Sequence, residues 1–102
     1  MKTRYVCVWD WYESKFKVFM VVGEEKDGFF VGNFDDRVKT LFNCGHYGSR
    51  PGIEMQWVAV TRKGAVGKRR KDQKRIVKDY EQEVAAAKTD LALLDKLHGG
   101  LL

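Results

Sequence analysis

Two cysteines and a histidine are the first side chains that could do chemistry: Cys7 near the start, and Cys44 with His46 in the run Cys44-Gly45-His46. As a metal site they fall short. A structural zinc takes four N or S ligands in recognisable pairs, and only these three precede the remote His98. As nucleophile and base they also fall short, because residues two apart need an unusual loop to hydrogen-bond productively. No third residue stands out to orient the histidine. Asp10, Asp35, Asp36 and Glu54 are the acids that metal-dependent catalysis would draw on. Nothing fixes them on a common edge, and Asp35 and Asp36 suit the start of a helix. The expectation is a non-enzymatic protein with no catalytic residue, no metal and no cofactor.

Charge is the stronger signal. Residues 62–78 hold Arg62, Lys63, Lys68, Arg69, Arg70, Lys71, Lys74, Arg75 and Lys78 against Asp72 alone, a net +8. The rest of the chain carries ten Lys/Arg against thirteen Asp/Glu, a net −3, within an overall +5. Charge concentrated in this way marks a docking surface better than a diffuse excess does. The run Arg62-Lys63-Gly64-Ala65-Val66-Gly67-Lys68-Arg69 reads as leaving a strand, passing two glycines and entering a helix. Backbone N–H groups at such a junction can face an anion. The plainer alternative is a solvated connector whose glycines turn the chain. It is not a phosphate-binding P-loop: the glycine spacing is wrong, and Arg69 stands where the Mg²⁺-binding hydroxyl belongs. The partner expected is nucleic acid or a nucleoprotein, held through phosphates with little sequence discrimination.

The competing reading is a protein–protein inhibitor or adaptor. Here the basic segment meets an acidic protein partner, Trp9, Trp11, Tyr12 and Tyr47 serve as anchors, and the C-terminal helix contributes a docking face. The run Gly28-Phe29-Phe30-Val31-Gly32-Asn33-Phe34 resembles the aromatic RNA-stacking strand of RRM domains in composition. Its aromatic spacing and the order of elements differ from that fold, and core packing accounts for these phenylalanines.

The elements that must position these groups follow from periodicity. Residues 5–11 are β-branched and aromatic on both faces, so they read as a central strand or one covered on both sides. Residues 16–22 form a second strand, and a polar loop ending in Asp27-Gly28 leads to a short third one at 29–32. Asn33 or Asp35 caps a brief helix over 36–42, with Val38, Leu41 and Phe42 on its buried face. Residues 43–52 hold three glycines and the only proline, and read as a loop. Residues 53–61 alternate as a strand, with Ile53, Met55, Trp57 and Ala59 on one side. The order is β-β-β-α-β-α: an α+β fold with a four-stranded, mainly antiparallel sheet, a short helix and a long C-terminal helix.

That last helix is expected over residues 68–98, punctuated by Gly67 and by Gly99-Gly100. The domain plan is a compact head at 1–66 and the helix at 67–102. A rod of roughly 46 Å exceeds a compact chain of this length, whose diameter is roughly 33 Å. One end must therefore project or pack on another chain. Val77, Tyr80, Val84, Ala87, Leu91 and Leu94 recur at alternating spacings of three and four, the pattern of a coiled-coil seam and hence of a homodimer. Leu93 and Leu97 widen the stripe, which suits a helix lying on its own sheet, the reading favoured over the self-associating seam, and the two can hold along different parts of the helix. Cations in the first turn oppose the helix dipole and should fray that end unless an anion joins it. With no secretory signal, no membrane-length apolar stretch and no disulfide framework, the expected setting is cytoplasmic.

Overall fold

Two apolar, β-rich segments separated by a polar turn make a hairpin, and this one forms the frame of the molecule. In the computed structural model, which describes residues 1–45 and 49–101, strand β1 (Lys2–Asp10) pairs antiparallel with β2 (Lys15–Lys26) from Lys2↔Gly23 to Asp10↔Lys15. The turn at Asp27 and Gly28, both with positive φ, returns the chain as β3 (Phe29–Val31). Helix α1 (Asp36–Phe42) follows, then β4 (Ile53–Glu54), one 3-10 turn (Met55–Trp57), β5 (Val58–Ala59) and helix α2 (Arg62–Leu101). The fold is α+β, with a sheet ordered β4-β3-β2-β1-β5. The chain divides into two units, Met1–Arg70 and Lys71–Leu102.

The sheet must curl. Its edge strands β4 and β5 are joined only by the Met55–Trp57 turn, and the chain from Glu54 to Val58 reaches at most about 14 Å. Edges of a flat five-stranded sheet lie four strand spacings apart, about 19 Å. The bend is located where β2 changes partner: Gly23 still pairs with Lys2 of β1, while Glu24 already pairs with Val31 of β3. Backbones touch there. A Cβ on Gly23 would stand 2.3 Å from the Val31 carbonyl oxygen, and one on Gly32 would stand 2.2 Å from that of Val22. Gly23→Ala therefore forces backbone apart where β2 changes partner and should cost about 3 kcal/mol or more, read as a lower denaturation midpoint.

Inside the curl, Val6, Val8, Val21, Phe30, Ile53 and Val58 meet Phe34, Val38, Phe42 and Cys44 from the α1 region. Asp35 caps α1 by accepting from the Val38 amide at 2.8 Å, and Asn43 ends it in the left-handed conformation. On the outer side of β1, Cys7 and Ala59 are covered by Ala65 of α2, with Tyr5 and Val18 beside them. Strand β1 is thus apolar on both faces because both are covered where Cys7 lies.

Three expectations are corrected. The sheet has five strands rather than four, because residues 53–61 do not form one strand. The Met55–Trp57 turn interrupts the alternation, and Ile53 and Val58, on opposite faces by sequence parity, share the inner core. An unbroken strand could not pair with β3 at one end of the sheet and β1 at the other. The order is accordingly β-β-β-α-β-β-α. Finally, the glycines at 64 and 67 do not make a connector: α2 already begins at Arg62.

Candidate nucleic-acid interface

Helix α2 starts early because Thr61 caps it. The Thr61 hydroxyl accepts from the Gly64 amide at 3.0 Å and its carbonyl from the Ala65 amide at 3.0 Å. Gly64 lets the first turn lie close to β5, since a Cβ there would stand 3.2 Å from that of Ala59. The opposition to the helix dipole consequently falls on Arg62 and Lys63, while Lys68 and Arg69 sit further along, where the dipole argument no longer applies.

The nine sequence candidates separate into three groups. Arg62, Lys68 and Arg69 fasten the helix start to the head. The Arg62 guanidinium lies 5.2 Å from the Tyr5 ring centre, and the Lys68 ammonium donates to the Val58 carbonyl. Arg69 does most: its Nε donates to the Cys7 carbonyl at 2.9 Å, just beyond the two-residue pairing of β1 with β5, while its guanidinium lies 3.8 Å over Trp57. Lys63 and Arg70 are exposed on the first unit.

The third group belongs to the second unit. Lys71, Lys74, Arg75 and Lys78 are all exposed and recur at i, i+3, i+4 and i+7, one face of an α-helix. The only acid among them is Asp72, held by Arg75 at 2.7 Å. Val77, Tyr80, Val84, Leu91 and Leu94 are each more than half exposed, and Ala87 is exposed too. At 3.6 residues per turn this stripe lies on the side of the helix opposite Lys71, Arg75 and Lys78, with Lys74 at its border.

The head presents a different surface. At the end of the β1–β2 hairpin Trp9 meets Phe16 edge-on at 5.1 Å, and Trp11 stacks on Tyr12 at 3.9 Å. Each of the four is about half exposed, between 45% and 55%. Below them, Asp10 is fully buried yet completely partnered: it accepts from Arg37 at 3.0 Å and from the Tyr12 and Glu13 amides, with Lys17 nearby at 3.9 Å. Arg37 in turn lies 4.6 Å over the Tyr12 ring.

Burial pushes the Asp10 carboxyl up, but the Arg37 and amide hydrogen bonds, together with the Arg37 charge, outweigh it and leave its pKa below the usual carboxylate value. A carboxylate depressed in this way stabilises the fold at neutral pH, and that contribution disappears as pH falls through the folded-state pKa. The thermal midpoint of the head should therefore drop as pH goes below about 4. Asp10→Asn should lower the neutral midpoint by several degrees and flatten that acid limb.

Among the described residues the candidate catalytic side chains are not brought together. Cys7 and Cys44 are both free and buried, in different clusters. Burial raises both thiols, only partly offset by Arg69 at Cys7 and Lys39 at Cys44, the setting of inert thiols. Asp35 caps α1, Asp36 occupies its first turn, and Glu54 pairs with Arg50 at 2.9 Å. His46 and Tyr47 lie outside the described residues. Among the described residues no three His, Cys, Asp or Glu side chains gather as a metal site, and no helix is long and apolar enough to cross a membrane.

Phe16 as the edge-on partner of Trp9, and Trp57 as the seat of Arg69, are contacts that no spacing in the sequence indicates. In comparisons with known proteins, no family model, no curated protein and no solved structure matches the chain.

Proposed function

We propose that this chain is a small non-enzymatic binding protein that contacts nucleic acid, or a nucleoprotein, through the phosphates. The observation that carries the reading is the exposed face formed by Lys71, Lys74, Arg75 and Lys78, in which, among the described residues, one ion pair forms, Arg75 with Asp72. Cations in such a row neutralise successive phosphates and release their counterions, which supplies affinity without base discrimination. Arg62, Lys68 and Arg69 serve the same end indirectly, by fixing the helix start to the head.

The adaptor reading keeps one specific support, the half-exposed set Trp9, Trp11, Tyr12 and Phe16. Such rings anchor protein partners, and they also stack on unpaired bases. Fluorescence anisotropy with generic labelled duplex and single-stranded oligonucleotides at low salt separates the two. Micromolar or tighter binding of either nucleic acid supports the first reading; negligible binding of both, with an acidic protein recovered from nuclease-treated extract, leaves the second. Preference for the single strand, lost in Trp9→Ala and Trp11→Ala, would assign the rings to bases.

A further inference from the structure

We infer that the distal part of α2 pairs with the same segment of a second copy, in antiparallel orientation. The reading does not compete with the nucleic-acid proposal for Lys71, Arg75 and Lys78, which lie on the opposite side of the helix from the apolar stripe; Lys74 alone borders both faces.

The argument begins with an uncovered stripe. In proteins most helical stability comes from packing an apolar face on something, more than from propensity. Here that face, from Val77 to Leu94, is exposed along its length. The stripe also matches itself when reversed. Setting Val77 opposite Leu94 of the second copy places Tyr80 opposite Leu91 and Val84 opposite Ala87. Every layer then joins the two kinds of seam position, as an antiparallel pair of helices requires.

The flanking residues choose the orientation. With Val77 as the first seam position of a heptad, the antiparallel register brings Glu81 beside Lys88 of the second copy, and Lys74 beside its Asp95. On the other flank Ile76 meets Leu97, an apolar extension of the seam. One contact opposes the arrangement: Glu83 faces Asp90. A parallel pair does worse. Over the same span it sets Asp90 beside Asp95 and the apolar Ile76 beside Glu81, gaining only Glu83 beside Lys88. The whole helix is polarised in the same sense, net +6 over residues 68–78 and −3 over 79–98, so reversal lays the basic start of one copy along the acidic end of the other. The second copy is thus the occupant that both the stripe and its charges fit.

Glu83 supplies a test of opposite sign for the two orientations. Glu83→Lys turns a repulsion into an attraction with Asp90 in the antiparallel pair, twice by symmetry, and should tighten the dimer about tenfold. In a parallel pair the same change sets a second positive charge against Lys88 and weakens it. Sedimentation equilibrium of the full chain and the variant reads the difference. Orientation is checked by mild oxidation of Val77→Cys and Leu94→Cys chains, with Cys7 and Cys44 buried out of reach. The antiparallel register cross-links the mixture and leaves Val77→Cys alone unlinked, because its two copies then lie about 26 Å apart, far beyond disulfide reach. A wild-type monomer at all concentrations, a weakened Glu83→Lys dimer, or self-linked Val77→Cys would each overturn the inference. Undiminished nucleic-acid binding by a monomer would remove the dimer and leave the first proposal standing.

Discussion

Replacing Lys71, Lys74, Arg75 and Lys78 together with glutamine should reduce affinity for generic duplex on the order of a hundredfold at low salt. The reduction should be alike for unrelated sequences, because phosphate contacts carry no base information. Each lost contact should also lower the slope of log affinity against log salt by about one. Folding is not expected to interfere, since all four side chains are exposed and, among the described residues, only Arg75 is ion-paired, and glutamine keeps helix propensity close to that of lysine. The informative control is Lys15, Lys26 and Lys96, exposed cations elsewhere on the chain. Their replacement with glutamine should change affinity far less than the four helix substitutions, although it removes nearly as much charge. Equal losses from both sets would mean that net charge, and not this face, drives the binding.

The second large effect concerns stability. Arg69→Ala removes a charged hydrogen bond to the Cys7 carbonyl and a cation–ring contact with Trp57. A charged hydrogen bond contributes about 1.5–3 kcal/mol and a half-desolvated cation–ring contact about 1 kcal/mol, so the loss should be about 2–4 kcal/mol. It leaves the Cys7 carbonyl short of a donor beyond the end of β5, which adds to the cost. Arg69→Lys should recover only part of it, because an ammonium cannot lie flat over Trp57 while donating sideways to the carbonyl. Urea unfolding followed by tryptophan fluorescence gives both values. The same variants separate scaffold from interface: Arg69→Ala should shift the unfolding midpoint strongly, whereas Lys71→Gln should leave it nearly unchanged.

Local chemistry made much of this fold readable. The β1–β2 hairpin follows from two β-branched runs around a polar turn, α1 from Asp35 and the apolar trio Val38, Leu41 and Phe42, and the long helix from its composition. What escaped was set by tertiary demand. Residues 53–59 alternate as a strand should, yet the curl of the sheet needs their two ends on opposite edges, so Met55–Trp57 becomes a turn. Gly64 and Gly67 look like helix breakers, but Thr61 caps the chain ahead of them and Ala65 is buried on Cys7 and Ala59. Packing there outweighs the weak glycine propensity.

The candidate interface was legible in a similar, partial way. The surplus of charge in residues 62–78 is plain from the sequence, but its division is not. Arg62, Lys68 and Arg69 look like any other member of the cluster until Tyr5, Val58, Cys7 and Trp57 are placed beneath them. Only the continuous helix from Arg62 shows which exposed cations share one face beyond the head, namely Lys71, Lys74, Arg75 and Lys78. The hairpin aromatics Trp9, Trp11 and Tyr12 were identifiable as surface candidates, although the apolar faces of residues 5–11 equally suited a strand covered on both sides. Their partner Phe16 became visible only through the Trp9↔Phe16 register.

The most direct test is the salt dependence of duplex binding by the unmodified chain. Four phosphates neutralised by Lys71, Lys74, Arg75 and Lys78 predict a slope of log affinity against log salt near −3.6 per chain, about −0.9 for each contact. A slope close to zero, or binding that persists unchanged as salt rises from about 50 to 200 mM, would contradict the assignment of this face to a polyanion.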